Sequence, residues 1–203
     1  ILRLVKLLIG INWIRDDMKV GYLITGRLKS TRLPKKLLLE INGKPIISHM
    51  IDRLKLANKI NEIIICSSTN EQDMPLADIA SKNGIKCYFG DPDDVLARLL
   101  EAADKFNLDY ILNITADCPF VDPYYADKIV DKYVETGADL IRQFDLPHGV
   151  FSYGIKVDAL RRVVELKDST DTEVWGRYFV DTGLFNVLDL DVKNEKHKRP
   201  GLR

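Results

Sequence analysis

The 203-residue sequence has few cysteines, no net charge and no long uninterrupted apolar run. Its three cysteines, Cys66, Cys87 and Cys118, are odd in number and lack Cys-x-x-Cys spacing, which argues against a disulfide framework and a structural zinc site. Thirty basic residues balance thirty acidic ones, so the broad positive surface of a nucleic-acid or membrane-surface binder is missing. The composition predicts a cytoplasmic protein with neither nucleic acid nor membrane as partner.

Residues 1–17 are apolar, but Arg3 and Lys6 interrupt a run that is too short to span a bilayer. They predict neither a signal peptide nor a membrane anchor. Met18 opens the stretch MKVGYLI, which is typical of a natural first strand, so we interpret residues 1–17 as an appended or upstream segment. An amphipathic interface helix is the alternative. Residues 18–203 have the length of one well-buried core and predict a single domain.

Hydrophobic periodicity predicts alternating strands and helices along most of the chain. The predicted strands are residues 20–25, 62–66, 85–89, 110–114 and 139–142, and the predicted helices are residues 45–58, 74–83, 93–106 and 122–136. This alternation favours a three-layer α/β architecture with a mostly parallel sheet and right-handed crossovers. Beyond residue 142 the pattern is less regular.

A basic loop follows the first predicted strand and opens at Gly26. Five cations then fall within ten residues, interleaved with the hydroxyls of Ser30 and Thr31: Arg27, Lys29, Arg32, Lys35 and Lys36. Cations this close repel one another, so the loop favours a ligand with several negative charges, such as a triphosphate. The loop also leaves its strand at the carboxyl edge of the predicted sheet, where ligands of open α/β proteins bind. A solvated basic loop without a ligand is the alternative.

Neither GxxxxGK[ST] nor GxGxxG occurs in this loop, which argues against a Walker-type ATPase and a dinucleotide-binding dehydrogenase. Asp117 follows the fourth predicted strand and is therefore expected at the same edge as the loop. Because Mg²⁺ takes one or two protein carboxylates and fills its shell with water and substrate phosphates, Asp117 predicts a magnesium site. A simple turn-forming carboxylate is the alternative.

Other carboxylates receive structural interpretations. Asp122 precedes a predicted helix and is interpreted as its N-cap. Asp189 and Asp191 form an Asp-x-Asp pattern that invites a metal interpretation, but alternation with leucines favours solvent-facing carboxylates on an edge strand.

Four motifs occur in order along the chain: GRLKSTRLPKKLL, INGKPIISHMIDRL, GDPDDVLARLLEAA and NITADCPFVDP. Together they resemble the cytidylyltransferases that activate sugar acids, the CMP-Kdo and CMP-sialic-acid synthetases, and especially their spore-coat polysaccharide branch. The resemblance implies a nucleotide-diphospho-sugar transferase (Rossmann-like) fold and transfer of CMP from CTP to a small acidic sugar, with pyrophosphate release, for surface polysaccharide synthesis. It also implies magnesium as cofactor and a homodimer.

Matching positions imply the site residues. Gly26, Arg27, Ser30, Thr31, Arg32 and Lys36 would bind the triphosphate, Ser67 and Ser68 would lie near the nucleoside, and Asp117 would hold magnesium. Arg32, Lys36 and Asp117 are the implied catalytic residues.

The chain departs from the family pattern at three places. Glycine replaces the usual alanine at residue 26, which is expected to loosen the loop. The sugar-side segments 147–155 and 172–179 are unusual, so the sugar is not identified. In the family a strand with a second metal-binding Asp normally follows a segment like RPGLR, and we therefore expect the chain to be truncated at its C-terminal end.

Two alternatives of other classes remain. A glycosyltransferase of similar fold would use a nucleotide sugar and an Asp-x-Asp metal motif, and we expect the Asp-x-Asp of residues 189–191 at the wrong end of the sheet for that role. A catalytically silent nucleotide-binding or partner-binding module would bind without turnover. Offering CTP or a nucleotide sugar as substrate separates the glycosyltransferase from the cytidylyltransferase, and turnover of CTP to pyrophosphate would exclude the silent module.

Overall fold

The computed structural model describes residues 17–29 and 33–202 of the chain. Apart from Asp17, the segment interpreted as appended lies outside these residues. Three predicted triphosphate ligands, Ser30, Thr31 and Arg32, also lie outside them. None of the helices found in the described ranges combines the length and apolarity needed to cross a membrane.

A mostly parallel sheet forms the centre of the fold. The strands are β1 (Val20–Thr25), β2 (Glu40–Ile41), β3 (Lys44–Pro45), β4 (Glu62–Ser68), β5 (Lys86–Gly90), β6 (Tyr110–Thr115), β7 (Leu140–Arg142), β8 (Tyr153–Lys156) and β9 (Val187–Asp189). Seven of them pair in the order β5-β4-β1-β6-β8-β7-β9, while β2 and β3 form a separate antiparallel pair. Strand β1 is parallel to both β4 and β6, and β8 is antiparallel to both of its neighbours.

Helices cover both faces of this sheet. They are α1 (Ile46–Leu54), α2 (Pro75–Lys82), α3 (Val95–Lys105), α4 (Pro123–Thr136), α5 (Val157–Leu166) and the short α6 (Arg177–Val180). One buried cluster joins the sheet to α1, α2 and α4, and a second joins it to α3, α5 and α6. The predicted three-layer, mostly parallel α/β architecture is confirmed.

The helix boundaries follow the local chemistry. The Asp122 carboxylate accepts a hydrogen bond from the Tyr124 N–H at 2.8 Å, which confirms its predicted role as the N-cap of α4. Gly84, with a φ of 65°, follows α2, and Gly137, with a φ of 63°, ends α4. Glycine is favoured at such positions because its lack of a Cβ makes the left-handed region accessible.

The predicted alternation from β1 to β7 is confirmed, and the structure adds β8, α5, α6 and β9 beyond it. Strand β8 inserts between β6 and β7, so the chain leaves the regular βαβ pattern here. Two antiparallel pairings, β6 with β8 and β8 with β7, are followed by the parallel pairing of β7 with β9. Strand β9 therefore runs in the same direction as β6.

Candidate active site

A cleft of about 730 Å³ opens at the carboxyl ends of β1 and β6. The basic loop and the turn after β6 contribute one set of lining residues: Gly26, Arg27, Lys29, Lys36 and Asp117. Helix α3 and the segment before α6 contribute another: Val95, Arg98, Glu173 and Trp175. The structure therefore brings Gly26, Arg27, Lys36 and Asp117, four of the predicted site residues, to one cleft.

The start of the basic loop is held by groups on β4 and just beyond it. The Ser67 hydroxyl donates to the Gly26 carbonyl oxygen at 2.7 Å, and the Gly26 N–H donates to the Cys66 carbonyl oxygen at 3.3 Å. Two residues further along, the Leu28 N–H donates to Oδ1 of Asp73 at 2.6 Å. The backbone path from Gly26 to Leu28 is therefore set by β4 and by the segment that follows it.

Ser67 and Ser68 do not line the cleft. Both are fully buried at the end of β4. Ser67 binds the loop backbone, and the Ser68 hydroxyl donates to Oδ2 of Asp73, the carboxylate that holds Leu28. The two serines, predicted near the nucleoside, are thus placed where they position the loop.

Gly26 is a point of close packing. A Cβ at this residue would lie 2.6 Å from the Ala116 Cβ and 3.1 Å from the Leu37 Cδ1. Both neighbours are almost completely buried. The glycine therefore allows the loop to pack closely against the turn after β6. The sequence predicts only that Gly26 loosens the loop, so this packing role is additional.

Gly26→Ala is expected to destabilise the fold by about 1–3 kcal/mol, because the added methyl overpacks this contact. Adding Ala116→Gly should recover part of the loss by removing the opposing methyl. Urea unfolding measures both changes. Gly176→Ala is the control, since its Cβ would meet no atom within 4 Å. Equal unfolding free energies for Gly26→Ala and Gly176→Ala would contradict the packing role.

Lys36 and Asp117 meet across the cleft, with Lys36 Nζ 2.5 Å from Asp117 Oδ2. Partial burial raises the pKa of Asp117, but hydrogen bonds from Lys36 and Thr115 lower it more, so the pKa lies below its ordinary value. The carboxylate is therefore ionised at neutral pH. About half of its side-chain surface remains exposed, which leaves oxygen available to a cation.

Arg27, in the basic loop, contacts two other segments of the chain. Its guanidinium donates to the Pro92 carbonyl oxygen at 3.0 Å. It also lies 3.8 Å from an Asp93 oxygen and 3.5 Å from a Glu173 oxygen, and both carboxylates are mostly exposed. Exposed pairs of this kind contribute little stability, so Arg27 can exchange these partners for a phosphate at small cost.

A buried ion pair holds the segment that carries Glu173 and Trp175. Lys167 Nζ donates to Oδ2 of Asp94, and only 10% and 7% of the two side chains are exposed. The Thr172 hydroxyl donates to Oδ1 of the same carboxylate at 3.0 Å and accepts from the Leu96 N–H at 3.0 Å. This network, Asp94 with Lys167 and Thr172, ties the segment before α6 to the first turn of α3.

Trp175 belongs to an aromatic row beside the cleft. Its ring is 5.0 Å from the Tyr153 ring, at 69°, and 6.0 Å from the Phe179 ring, at 75°. These are edge-to-face arrangements, which aromatic pairs prefer. Trp175 is 8% exposed, so it forms a rigid apolar wall of the cleft.

Asp189 lies on edge strand β9, where its carboxylate accepts from Arg142 Nε at 2.6 Å. Asp191 is also exposed. This agrees with solvent-facing carboxylates on an edge. Because β9 runs in the direction of β6, Asp189 lies toward the same sheet edge as Asp117, and the two strands are three positions apart, which is about 14 Å between strand axes. Over residues 17–29 and 33–202, no three carboxylate, cysteine or histidine side chains cluster as a metal site.

Sequence reasoning missed several residues that shape the cleft: Asp73, Asp94, Arg98, Lys167, Thr172, Glu173 and Trp175. Arg98 had a detectable signal, since it occupies a core position between Val95 and Leu99 in an apolar helical pattern. The roles of the others depend on contacts with residues that are mostly far apart in the chain, and hydrophobic periodicity carries no information about such contacts.

A mostly parallel α/β sheet with a basic, partly carboxylate-lined cleft at its carboxyl edge is typical of nucleotide-binding proteins of the α/β class. The profile of one family, described as cytidylyltransferase, matches residues 22–185. This chain belongs to the cytidylyltransferase family, and its sheet and helices form the nucleotidyltransferase fold.

Individual relatives agree with this assignment. A 3-deoxy-manno-octulosonate cytidylyltransferase of Geobacter metallireducens is 30% identical over 182 residues, covering 88% of this chain and 68% of the relative. A solved cytidylyltransferase from Leptospira borgpetersenii superposes with a TM-score of 0.82 at 26% identity, covering 92% of this chain and 80% of that one. A CMP:2-keto-3-deoxy-manno-octonic acid synthetase solved with CTP superposes with a TM-score of 0.70 at 18% identity, covering 86% and 90%.

Proposed function

We propose that this chain transfers CMP from CTP to a small acidic sugar and releases pyrophosphate, as a step in surface polysaccharide synthesis. The observation that carries the proposal is the meeting of Arg27, Lys36 and Asp117 in one cleft at the carboxyl edge of a cytidylyltransferase fold. The names of the relatives support the substrate class, since two of them are named for an acidic eight-carbon sugar.

The reaction forms a bond between the anomeric oxygen of the sugar acid and the α-phosphorus of CTP. The bond from that phosphorus to the pyrophosphate oxygen breaks in line, and the hydroxyl proton passes to solvent. Lys36 and Arg27 would stabilise charge on the phosphate oxygens as pyrophosphate departs. Ser67 and Asp73 hold the backbone on either side of Arg27, which helps to orient its guanidinium.

The residues present fit a divalent cation carried by the nucleotide. Asp117 supplies an ionised and partly exposed carboxylate, and one carboxylate is sufficient when substrate phosphates and water complete the shell of Mg²⁺. We propose magnesium at Asp117. When bound, the ion would neutralise charge on the triphosphate. Lys36, displaced from Asp117, would then be free to bind a phosphate oxygen.

Further parts of the proposal concern the whole protein. We propose that the enzyme is a cytoplasmic homodimer in which residues 18–203 act as one domain. The resemblance in the four sequence motifs supports the dimer. Size-exclusion chromatography with light scattering tests it, and a monomeric mass at micromolar concentration would contradict it.

CTP with magnesium is expected to raise the melting temperature of the protein more than ATP or GTP at equal concentration. A ligand at 100 times its Kd stabilises a folded protein by about 2.7 kcal/mol, which corresponds to about 5–10 °C for a chain of this size. Thermal unfolding with each nucleotide measures the shifts. Equal shifts for all three would contradict cytidylyl selectivity.

Turnover is tested separately, by measuring pyrophosphate release from CTP with a panel of sugar acids. Binding of CTP without release for any acceptor would favour the silent nucleotide-binding module. Turnover of a nucleotide sugar but not of CTP would favour a glycosyltransferase.

A further inference from the structure

Arg98 is a buried cation at the wall of the cleft. It lies in the first turns of α3, and only 2% of the residue is exposed. It lines the cleft together with Val95, Trp175 and Glu173, and the Glu173 carboxylate pairs with Arg27 instead of Arg98. Within residues 17–29 and 33–202, no carboxylate lies within ion-pair distance of its guanidinium. Buried arginines are normally paired, so this one is unusual.

Few of the donors of Arg98 are matched by the protein. Nη1 donates to the Asp91 carbonyl oxygen at 2.7 Å and lies 3.5 Å from the Pro92 carbonyl oxygen. Nε is buried without a partner. A guanidinium carries five N–H donors and no acceptor, and buried donors are nearly always satisfied in folded proteins. Among the described residues, therefore, the guanidinium has no ion-pair partner within 4 Å and part of its donor set is unmatched.

A second cation lies close by and strengthens the same field. Arg27 donates to the Pro92 carbonyl oxygen at 3.0 Å, so the two guanidinium groups approach the same atom. Burial, with the neighbouring Arg27 charge, lowers the pKa of Arg98 below its ordinary value, and the Asp73 and Asp91 carboxylates, which lie beyond ion-pair distance, only partly offset this. That ordinary value is so high that the group stays charged at neutral pH. An anion between the groups would reduce the repulsion and accept hydrogen bonds from guanidinium N–H groups.

We infer that Arg98 binds an oxyanion of a substrate in the cleft, either a phosphate of CTP or the carboxylate of the sugar acid. The inference rests on the proposed function for the identity of these substrates. The shared chemistry is a planar or tetrahedral oxyanion that can accept from a guanidinium fork. It adds a residue from α3 to a site that the sequence had assigned to the loop and to Asp117.

The rival explanation is structural, with Arg98 serving only to hold the Asp91 carbonyl group at the start of α3. The two roles differ in what the free protein needs. A buried charge without an ionic partner does not favour folding, so neutralising it should leave the unfolding free energy of the ligand-free protein little changed. If the role of Arg98 is purely structural, its substitution should lower the stability of the protein and its ligand affinity together.

Arg98→Gln tests the inference because glutamine keeps an N–H donor for Asp91 and removes the charge. Arg98→Lys keeps the charge and removes the fork. Arg53→Gln is the matched control, since Arg53 Nε also donates to a backbone carbonyl, that of Val121 at 2.9 Å, but does not line the cleft. For each protein, urea unfolding is measured without ligand, calorimetry with CTP and with inorganic pyrophosphate, and KM with the sugar acid at saturating CTP.

For Arg98→Gln we expect an unfolding midpoint like that of the wild type and at least a tenfold loss at one substrate. Weaker binding of both CTP and pyrophosphate would assign the anion to the phosphates. Unchanged CTP affinity with a tenfold higher KM for the sugar acid would assign it to the acceptor carboxylate. In either case the affected affinity or KM of Arg98→Lys should lie between the values for Arg98→Gln and the wild type.

Unchanged CTP affinity and unchanged KM would overturn the inference while leaving the proposed function in place. A loss of stability with ligand affinities reduced only as much as in Arg53→Gln would also overturn it. If Arg98→Gln does not fold, the loss at one substrate is measured on Arg98→Lys instead. Failure of the wild-type protein to turn over CTP would contradict the proposed function, and pyrophosphate titration would still report on Arg98.

Discussion

Asp117→Asn is expected to lower the rate of CMP transfer by at least about tenfold, a loss of about 1.4 kcal/mol of transition-state stabilisation, while the protein stays folded. Asparagine keeps the size and hydrogen bonding of aspartate but deletes the charge that a magnesium ion would need. Nucleotide binding should lose its dependence on magnesium at the same time. Steady-state kinetics and CTP titrations with and without magnesium measure the two effects.

Asp189→Asn provides the matched control for Asp117. Both carboxylates are exposed, both accept from a basic side chain and both lie toward the same sheet edge, but Asp189 lies three strands from the cleft. We expect the control to keep its rate and its magnesium dependence. Full activity of Asp117→Asn would refute the metal assignment, and a loss confined to Asp189→Asn would move the ion to Asp189 and Asp191.

Lys167→Met is expected to destabilise the protein by about 3–5 kcal/mol, because it leaves the buried Asp94 carboxylate without its ionic partner. The same substitution should raise the KM for the sugar acid, since the network with Thr172 holds Glu173 and Trp175 at the cleft. Urea unfolding and acceptor kinetics measure these changes. Adding Asp94→Asn removes the second charge and should recover part of the lost stability.

Lys132→Met is the control for Lys167. Lys132 lies 3.4 Å from Glu135 in an exposed pair one helical turn apart, and pairs of this kind contribute at most about 0.5 kcal/mol. A stability loss as small in Lys167→Met as in this control would show that the buried pair does not hold the segment. A large stability loss with an unchanged KM would show that the segment does not contact the acceptor.

The fold was largely predictable because its first part is built from local patterns. Strand β1 and helix α3 carry their own periodicity, and the N-cap Asp122 is adjacent to the helix it begins. Strand β8 was missed because four residues give little periodicity and its place depends on pairing with residues about forty positions earlier.

The candidate site was predictable only in part. Lys36 and Asp117 follow from charge and from position at a strand end, and the structure brings them together. The roles of Ser67 and Asp73 depend on where the loop backbone passes, which no pattern of residue types specifies. Trp175 lies at the cleft because its segment is held by the buried ion pair of Asp94 and Lys167, which are 73 residues apart in the chain.

The anchoring of Gly26 and Leu28 by Ser67 and Asp73 has a consequence for how this cleft can change. Backbone hydrogen bonds set the path of this part of the loop, so the identities of side chains such as Arg27 and Lys29 are not needed to maintain it. Single substitutions there can alter charge and reach without remodelling the scaffold. The entropy cost of ordering these residues is also incurred when the protein folds and not when it binds a ligand. More of the free energy of each new contact therefore contributes to affinity. The loop is therefore a suitable place to tune contacts with the substrate phosphates, by evolution or by design.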